Sequence, residues 1–430
     1  MPRNPAIKVT GLVAVLLLLV LAPRASWAAA DEAMEWDREI AGTGVSYVPV
    51  VSSAATVVAP SELLPGELEL QDSNNNCGIF AFAGRLYFGW RTSRSHFASG
   101  KAVMHVASRP LDDDGARWTA EASFALGADV REPNFHVAEG QLVFSFFEAG
   151  VNPFAFEPKN LWRTTRLAAG QWTPLAVWGR PEEVLWDIAF HDEVGLLTSY
   201  HGNHYSVTDF PDVKVHLNVS SDGGATWTPL APRGADNGTE WVYQGGVSEV
   251  GFTVDIDGNF WGVTRNEDGD SAGFGSFVVF APSGDWGTWQ LFPSPNRTMP
   301  DIYESPKLLR HGDEIYLIAR TDPDGPYDRG YHDLTFNQQR AINLATYSLR
   351  KHGTGLWRIN QQTKELEFIT TLPGCGDTAF PSITRVGKHR YIVANYTNPT
   401  DLCADWTWLR GQVSLDGTYV YFIEIAFNPA

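Results

Sequence analysis

The sequence is poor in cysteine, methionine and positive charge, and helical periodicity is nearly absent beyond its first residues. Its three cysteines are Cys77, Cys375 and Cys403. There is no Cys-x-x-Cys pair and no histidine cluster, so neither zinc nor any other metal is expected, and no cofactor motif is present. Lys and Arg number 32 against 50 Asp and Glu, a formal net charge of −18. A chain this acidic lacks the surplus cations that displace phosphate counterions, which argues against nucleic acid as a partner. After residue 21 no apolar run is long enough to span a bilayer.

What is present starts at the N-terminus. Arg3 and Lys8 precede an apolar run from Gly11 to Leu21, and Ser26-Trp27-Ala28 and Ala28-Ala29-Ala30 offer small residues for cleavage. Residues 1–30 therefore read as a signal peptide, with the mature chain starting near Ala29 or Asp31. An uncleaved anchor is the alternative. Secretion, extracellular or periplasmic, follows from the first reading. Loss of Arg3, Lys8 and Arg24, with no acid, takes the net charge from −18 to −21. Export permits disulfides. Cys375 and Cys403 flank one expected hairpin and are the favoured pair, leaving Cys77 over; spacing alone does not decide it. Sequons stand at Asn218, Asn237, Asn296 and Asn395.

Short runs of Val, Phe, Tyr, Leu and Trp alternate with Gly, Asp-Gly and Pro, the pattern of β-hairpins. Six segments share one plan of strand, tight turn and strand: Cys77–Arg91, Glu132–Glu148, Leu185–His201, Glu249–Arg265, Glu304–Arg320 and Phe380–Tyr396. Their starts lie 53 to 76 residues apart, and each is followed by further β-like sequence. The expected fold is all-β: a six-bladed propeller of four-stranded antiparallel blades over residues 75–430. A two-sheet sandwich would not naturally give six equivalent hairpins. Residues 31–74 hold another β-like run, Val45–Val58, expected to close the last blade or to wrap the surface. Arg340–Leu356 is the longest departure from the repeat. The 16 tryptophans suit sugar rings, although packing a β core is their more frequent use.

Ser220-Ser221-Asp222-Gly223-Gly224-Ala225-Thr226-Trp227 reads S-x-D-x-G-x-T-W, with partial echoes at Asp113–Trp118, Ser283–Trp289 and Ser414–Gly417. This motif resembles the Asp-box of the sialidase superfamily. The likeness covers most of residues 75 to 427 and implies a propeller glycosidase in which the Asp-box itself is structural.

In an antiparallel hairpin the start of the first strand and the end of the second lie at one end. Read off each blade, these positions give Asn75 and Arg91, Glu132 and Glu148, Asp187 and His201, Glu249 and Arg265, Glu304 and Arg320, and Phe380 and Tyr396. Such a concentration of ionisable groups over one face marks a candidate site. Simple Glu–Arg pairing between blades is the alternative. The resemblance implies three arginines that hold a substrate carboxylate, matched by Arg91, Arg265 and Arg320. It also implies that Glu249 accompanies Arg265 and that Tyr396 stands near the tyrosine nucleophile. Asp129-Val130-Arg131-Glu132-Pro133 resembles a blade-two signature of related hydrolases and adds Arg131 and Glu132.

Glu132, Glu148, Asp187 and Glu249 are thus the candidates for acid, base or nucleophile, with Tyr396 beside them. Arg91, Arg131, His201, Arg265, Glu304 and Arg320 are the candidates for binding a glycan, anionic or polyhydroxylated. A non-catalytic carbohydrate- or protein-binding propeller is the alternative, and a lyase using the Tyr200–Tyr205 cluster around His201 is a third. His96, on the loop after Arg91, reads as an exposed loop residue, with a contact to substrate as the alternative. The acidic turns 266–270 and 322–325 read as solvated, without the spacing of a calcium loop.

Overall fold

In the computed structural model, which describes residues 32–293 and 302–430, each of the six repeats folds as an antiparallel hairpin. The innermost pairs are Ser73–Phe82 with Arg85–Ser93, Asp129–Ala138 with Gln141–Ala149, and Val184–His191 with Val194–Gly202. They continue with Val250–Val254 and Phe260–Thr264, Glu304–His311 and Glu314–Thr321, and Ser382–Gly387 and Arg390–Thr397. The turns Ala83-Gly84 and Glu139-Gly140 hold both central residues at positive φ, which matches the right-handed twist of the strands they join.

Each hairpin gains a third and a fourth strand, giving six sheets around an axis among the described residues. Five blades run in chain order from the axis outward. The sixth takes its outermost strand from the other end of the chain: Tyr47–Val51 pairs antiparallel with Tyr419–Pro429, from Tyr47 opposite Pro429 to Val51 opposite Ile425. A strand left open at a sheet edge exposes a row of backbone donors and acceptors, and this exchange pairs it. Aromatic rings fill the seam between first and last blades, with Phe88 stacked on Trp90 at 4.4 Å and edge-on to Phe422 at 5.2 Å.

Three α-helices decorate the sheets among the described residues. Helix α1 (32–42) lies over the turns at one end of blades five and six. Its buried Asp37 accepts from Arg310 Nε at 2.8 Å, Arg385 Nη1 at 3.0 Å and the Gly312 amide at 2.8 Å. Helix α2 (Phe336–Ser348) is inserted between the second and third strands of blade five, starting slightly before the departure expected at Arg340. Its signal is local, a capping box of Thr335 with Gln338. Helix α3 (Trp408–Val413) follows the Cys375–Cys403 disulfide. Cys77 is buried and unpaired. No described helix is long and apolar enough to cross a membrane. The expected leader and the Asn296 sequon fall outside the described residues.

The Ser220–Trp227 turn sits at the end of the propeller where the hairpins reverse. Ser220 Oγ donates to Asp222 Oδ1 at 2.7 Å, and Asp222 accepts the Thr226 amide at 2.9 Å. The charged strand ends lie at the opposite end of the propeller.

Candidate active site

Four blades break their innermost strand near the same place, one at Trp186 and three at a residue with positive φ. Asn76 falls between the Asn75–Arg91 and Cys77–Trp90 pairs. Glu132 falls between Arg131–Phe147 and Asn134–Ser145. Ser305 falls between Glu304–Arg320 and Lys307–Ile318. Their φ values are +40°, +56° and +50°. A bulge re-aims a side chain and costs backbone strain, of order 1–3 kcal/mol for a non-glycine residue in this region. All three residues line one cavity of about 460 Å³.

The cavity gathers Arg131, Glu132, Glu249, Arg265, Arg320 and Tyr396. Arg91 and Glu304 stand immediately behind its wall, both fully buried. Arg91 donates to Asp129 Oδ1 from Nε at 2.9 Å and from Nη2 at 2.8 Å. Glu304 is paired with Arg320 and lies 3.3 Å from Arg265 Nη2.

Glu148, Asp187 and His201 are placed elsewhere. Glu148 accepts from Asn160 Nδ2 and Trp162 Nε1 of the next strand in its own blade, each at 3.0 Å. His201 stacks on His216, with Nδ1 2.8 Å from its Nε2. Asp187 belongs to a second cavity of about 210 Å³, lined by the innermost strands of all six blades, where Lys307 Nζ meets it at 2.9 Å. Trp186 stands between the two spaces. Its ring packs on Phe380 at 5.3 Å, and its carbonyl accepts from Lys307 at 2.6 Å. Side chains alternate faces along a strand, so a position at the strand's end does not by itself fix the side to which a group points.

The two cavity glutamates differ in chemistry. Glu132 Oε2 is fully enclosed and has no hydrogen-bond partner. Burial, and then the proximity of Glu249, push its carboxyl up to about 8. Glu249 is an acceptor on both oxygens, from Arg265 Nη1 at 2.5 Å and from the Ser305 amide at 2.8 Å. One carboxyl is thus held neutral near pH 7 and the other is fixed in the acceptor role, the division of labour that acid–base chemistry uses.

Behind Glu249 runs a buried network. Arg265 Nη2 donates to Tyr205 Oη at 2.6 Å and to both oxygens of Glu267 at 2.9 Å. Burial raises Glu267 well above the carboxylate range, whereas Arg265 leads the groups that overcome burial and hold Glu304 low. His204 Nδ1 lies 2.6 Å from Asp268 Oδ2.

On the other side, Tyr396 Oη donates to Asp377 Oδ1 at 2.9 Å, and Asp377 Oδ2 lies 2.8 Å from His96 Nδ1. Burial opposes ionisation of Asp377, but His96 and Arg320 hold it below the usual carboxylate range. The Cys375–Cys403 disulfide and the Asn398 side chain, which accepts the Asp377 amide at 2.6 Å, fix this loop. Trp408 of α3 lies 5.0 Å from the Arg320 guanidinium, and Phe154 and Phe156 add aromatic surface at the mouth.

Sequence reasoning passed over Asp377, Asp129, Tyr205, Glu267, Asp268 and Trp408. His96, expected on an exposed loop, is instead enclosed between Asp377 and Arg131. The acidic turn 266–270 is not solvated either: Glu267 and Asp268 are 1% and 0% exposed. In the turn 322–325, Asp322 is buried against Arg350 at 2.8 Å. The crowding of tyrosine and histidine in Tyr200–Tyr205 was the available signal for Tyr205 and His204. Among the described residues no group of three or more His, Cys, Asp or Glu is arranged to hold a metal.

The fold is a six-bladed β-propeller. No protein-family model matches the chain, nor does any curated protein. Among solved structures it is similar to a Dyadobacter fermentans protein of unknown function, at a TM-score of 0.54 and 12% identity over 83% of this chain and 95% of that one. It is also similar to Trypanosoma rangeli sialidase in complex with the inhibitor DANA, at 0.53 and 12% identity over 89% of this chain. The match spans 59% of that sialidase. A Penicillium chrysogenum α-L-arabinanase complexed with arabinobiose aligns at 0.46 and 11% identity over 88% of this chain and 96% of that one. At these identities the likeness establishes the fold alone.

Proposed function

We propose that the chain is a secreted glycoside hydrolase that breaks a glycosidic bond in the cavity between Glu132 and Glu249. The observation that carries this reading is the Glu132 carboxyl, its Oε2 enclosed without a hydrogen-bond partner and the group held near pKa 8, in the same cavity as Glu249, which is fixed as an acceptor on both oxygens. A glycosidic oxygen leaves readily only if it is protonated as the bond breaks, and a neutral carboxyl supplies that proton at pH 7. Glu249 provides the opposing negative charge. The C–O bond cleaves, the leaving oxygen takes Glu132's proton, and water supplies hydroxide to the anomeric carbon and a proton back to the carboxyl groups. Tyr396 faces the same space and adds a polar contact to the oxocarbenium-like state.

The sialidase among the fold neighbours supports a glycan as the substrate, and the leader-like N-terminus and the disulfide support export. Of the cluster on which a lyase reading rests, His201 lies outside the cavity, while Tyr200, His204 and Tyr205 line it. The test is hydrolysis of a panel of chromogenic glycosides by the wild-type chain, Glu132→Gln and Glu249→Gln. Turnover lost in Glu249→Gln, and lost in Glu132→Gln for glycosides whose leaving group needs protonation, with glycan affinity kept, supports the proposal. A folded wild-type chain that binds glycans and cleaves none fits a non-catalytic propeller instead.

A further inference from the structure

The arginines of the cavity are already engaged. Arg131 donates from Nε to Asp129 Oδ2 at 2.6 Å and from Nη2 to the His96 carbonyl at 2.6 Å, and its Nη1 lies 3.5 Å from His96 Nε2. Arg265 spends Nη1 on Glu249 and Nη2 on Tyr205 and Glu267, and its Nε is enclosed without a hydrogen-bond partner. Arg320 donates to Glu304 and to the carbonyls of Thr378 and Ala379, the last at 3.0 Å. A guanidinium fork recognises a carboxylate or sulfate through two parallel donors, and each of these three already spends at least two of its nitrogens on groups of the protein wall.

Apart from Arg265 Nε, the lining groups that lack a hydrogen-bond partner are of another kind. Asn76 is 4% exposed, lines the cavity, and its Oδ1 has no partner. Glu132 Oε2 and His204 Nε2 are likewise enclosed without a hydrogen-bond partner, His204 Nε2 lying 3.8 Å from Glu267 Oε1, and both residues line the same space. Glu157 and Glu249 add carboxylate oxygens. A sugar hydroxyl both donates and accepts, so it satisfies such groups. A carboxylate or sulfate only accepts, leaves Asn76 Oδ1 unpaired, and faces Glu157 and Glu249 across a low-dielectric space.

We infer that the cavity selects an uncharged, polyhydroxylated sugar and rejects acidic ones, its arginines serving to hold the carboxylates of the wall. This inference rests on the hydrolase reading above and narrows its substrate class.

The test uses full-length Glu132→Gln in calorimetry with neutral arabino-, xylo- and galacto-oligosaccharides and with sialyl and glucuronyl oligosaccharides, at 20 and 300 mM NaCl. Wild-type turnover of the matching chromogenic glycosides is measured in parallel. Neutral sugars are expected to bind at least about tenfold tighter than acidic ones, with little change between the two salt conditions. Asn76→Gly removes the acceptor at a position whose positive φ glycine accepts, and it should weaken neutral-sugar binding by about tenfold. Preferential binding of acidic sugars, weakened by salt, overturns the inference. Cleavage of acidic glycosides alone overturns it while upholding the hydrolase reading. Neutral binding without cleavage of any glycoside upholds it and overturns the hydrolase reading. A folded protein that binds neither class overturns both.

Discussion

Tyr396 and Asp377 are joined by a hydrogen bond of 2.9 Å from the phenol to a carboxylate whose other oxygen is held by His96. The pair comes from one blade, the histidine from another, and the tyrosine faces the cavity. Burial, then Asp377, raises the phenol well above its ordinary value, so Tyr396 stays protonated across the working range. Tyr396→Phe should lower kcat by about 10²-fold with a smaller change in KM, the scale of losing one polar group aimed at developing charge. Asp377→Asn should produce a similar loss and alter the titration of His96, read by histidine NMR.

Glu132 links activity to stability with opposite signs. Its carboxyl titrates at 4.5 ordinarily and at about 8 in the fold, so the fold favours the neutral form. The associated stability is fully present below pH 4.5 and is lost as pH rises toward 8. Glu132→Gln carries no such loss. It should therefore exceed the wild type in unfolding free energy by on the order of 3 kcal/mol at pH 7, with the gap closing near pH 4. Chemical denaturation at both pH values checks this. In the wild type, kcat/KM should fall as pH rises through about 8.

Asp187 and Glu148 separate structural from catalytic carboxylates. Asp187→Asn leaves Lys307 without its partner in the axial cavity and should destabilise the chain by about 3 kcal/mol, while the folded fraction keeps its turnover. Glu148→Gln keeps an acceptor for Asn160 and Trp162 and should change neither stability nor rate appreciably. Denaturation midpoints alongside active-site-normalised rates decide both.

The Cys375–Cys403 bond closes a segment with a sequence separation of 28 that carries Asp377 and leads into α3. Replacing both cysteines with serine should cost about 3 kcal/mol of stability by the chain-entropy account, and should raise KM as Trp408 and Asp377 loosen. Thiol titration of the unfolded, non-reduced chain should count one reactive group, Cys77.

The hairpins were legible because turn residues and apolar strands alternate at short range, and that local chemistry repeats six times. The site was legible where the strand-end rule holds. Glu249 with Arg265 and Glu304 with Arg320 meet across the hairpin as the rule requires. It misplaced Glu148, Asp187 and His201 because strand position does not fix which face a side chain takes, and bulges such as that at Glu132 shift the alternation. The helix α2 went unread because its buried residues, Arg340, Asn343 and Tyr347, do not form an apolar stripe. Asp377, Glu267, Asp268 and Trp408 lie on connections between strands, where no periodicity announces burial. Only three-dimensional contact with Arg265, His204, His96 and Arg320 gives them meaning.

The most direct test of the account is the dependence of kcat/KM on leaving-group acidity for a series of aryl glycosides, compared between the wild-type chain and Glu132→Gln. A shallow dependence in the wild type and a steep one in the variant, with good leaving groups cleaved nearly as fast, is the result predicted for proton donation by Glu132. Parallel dependences of equal slope would contradict it.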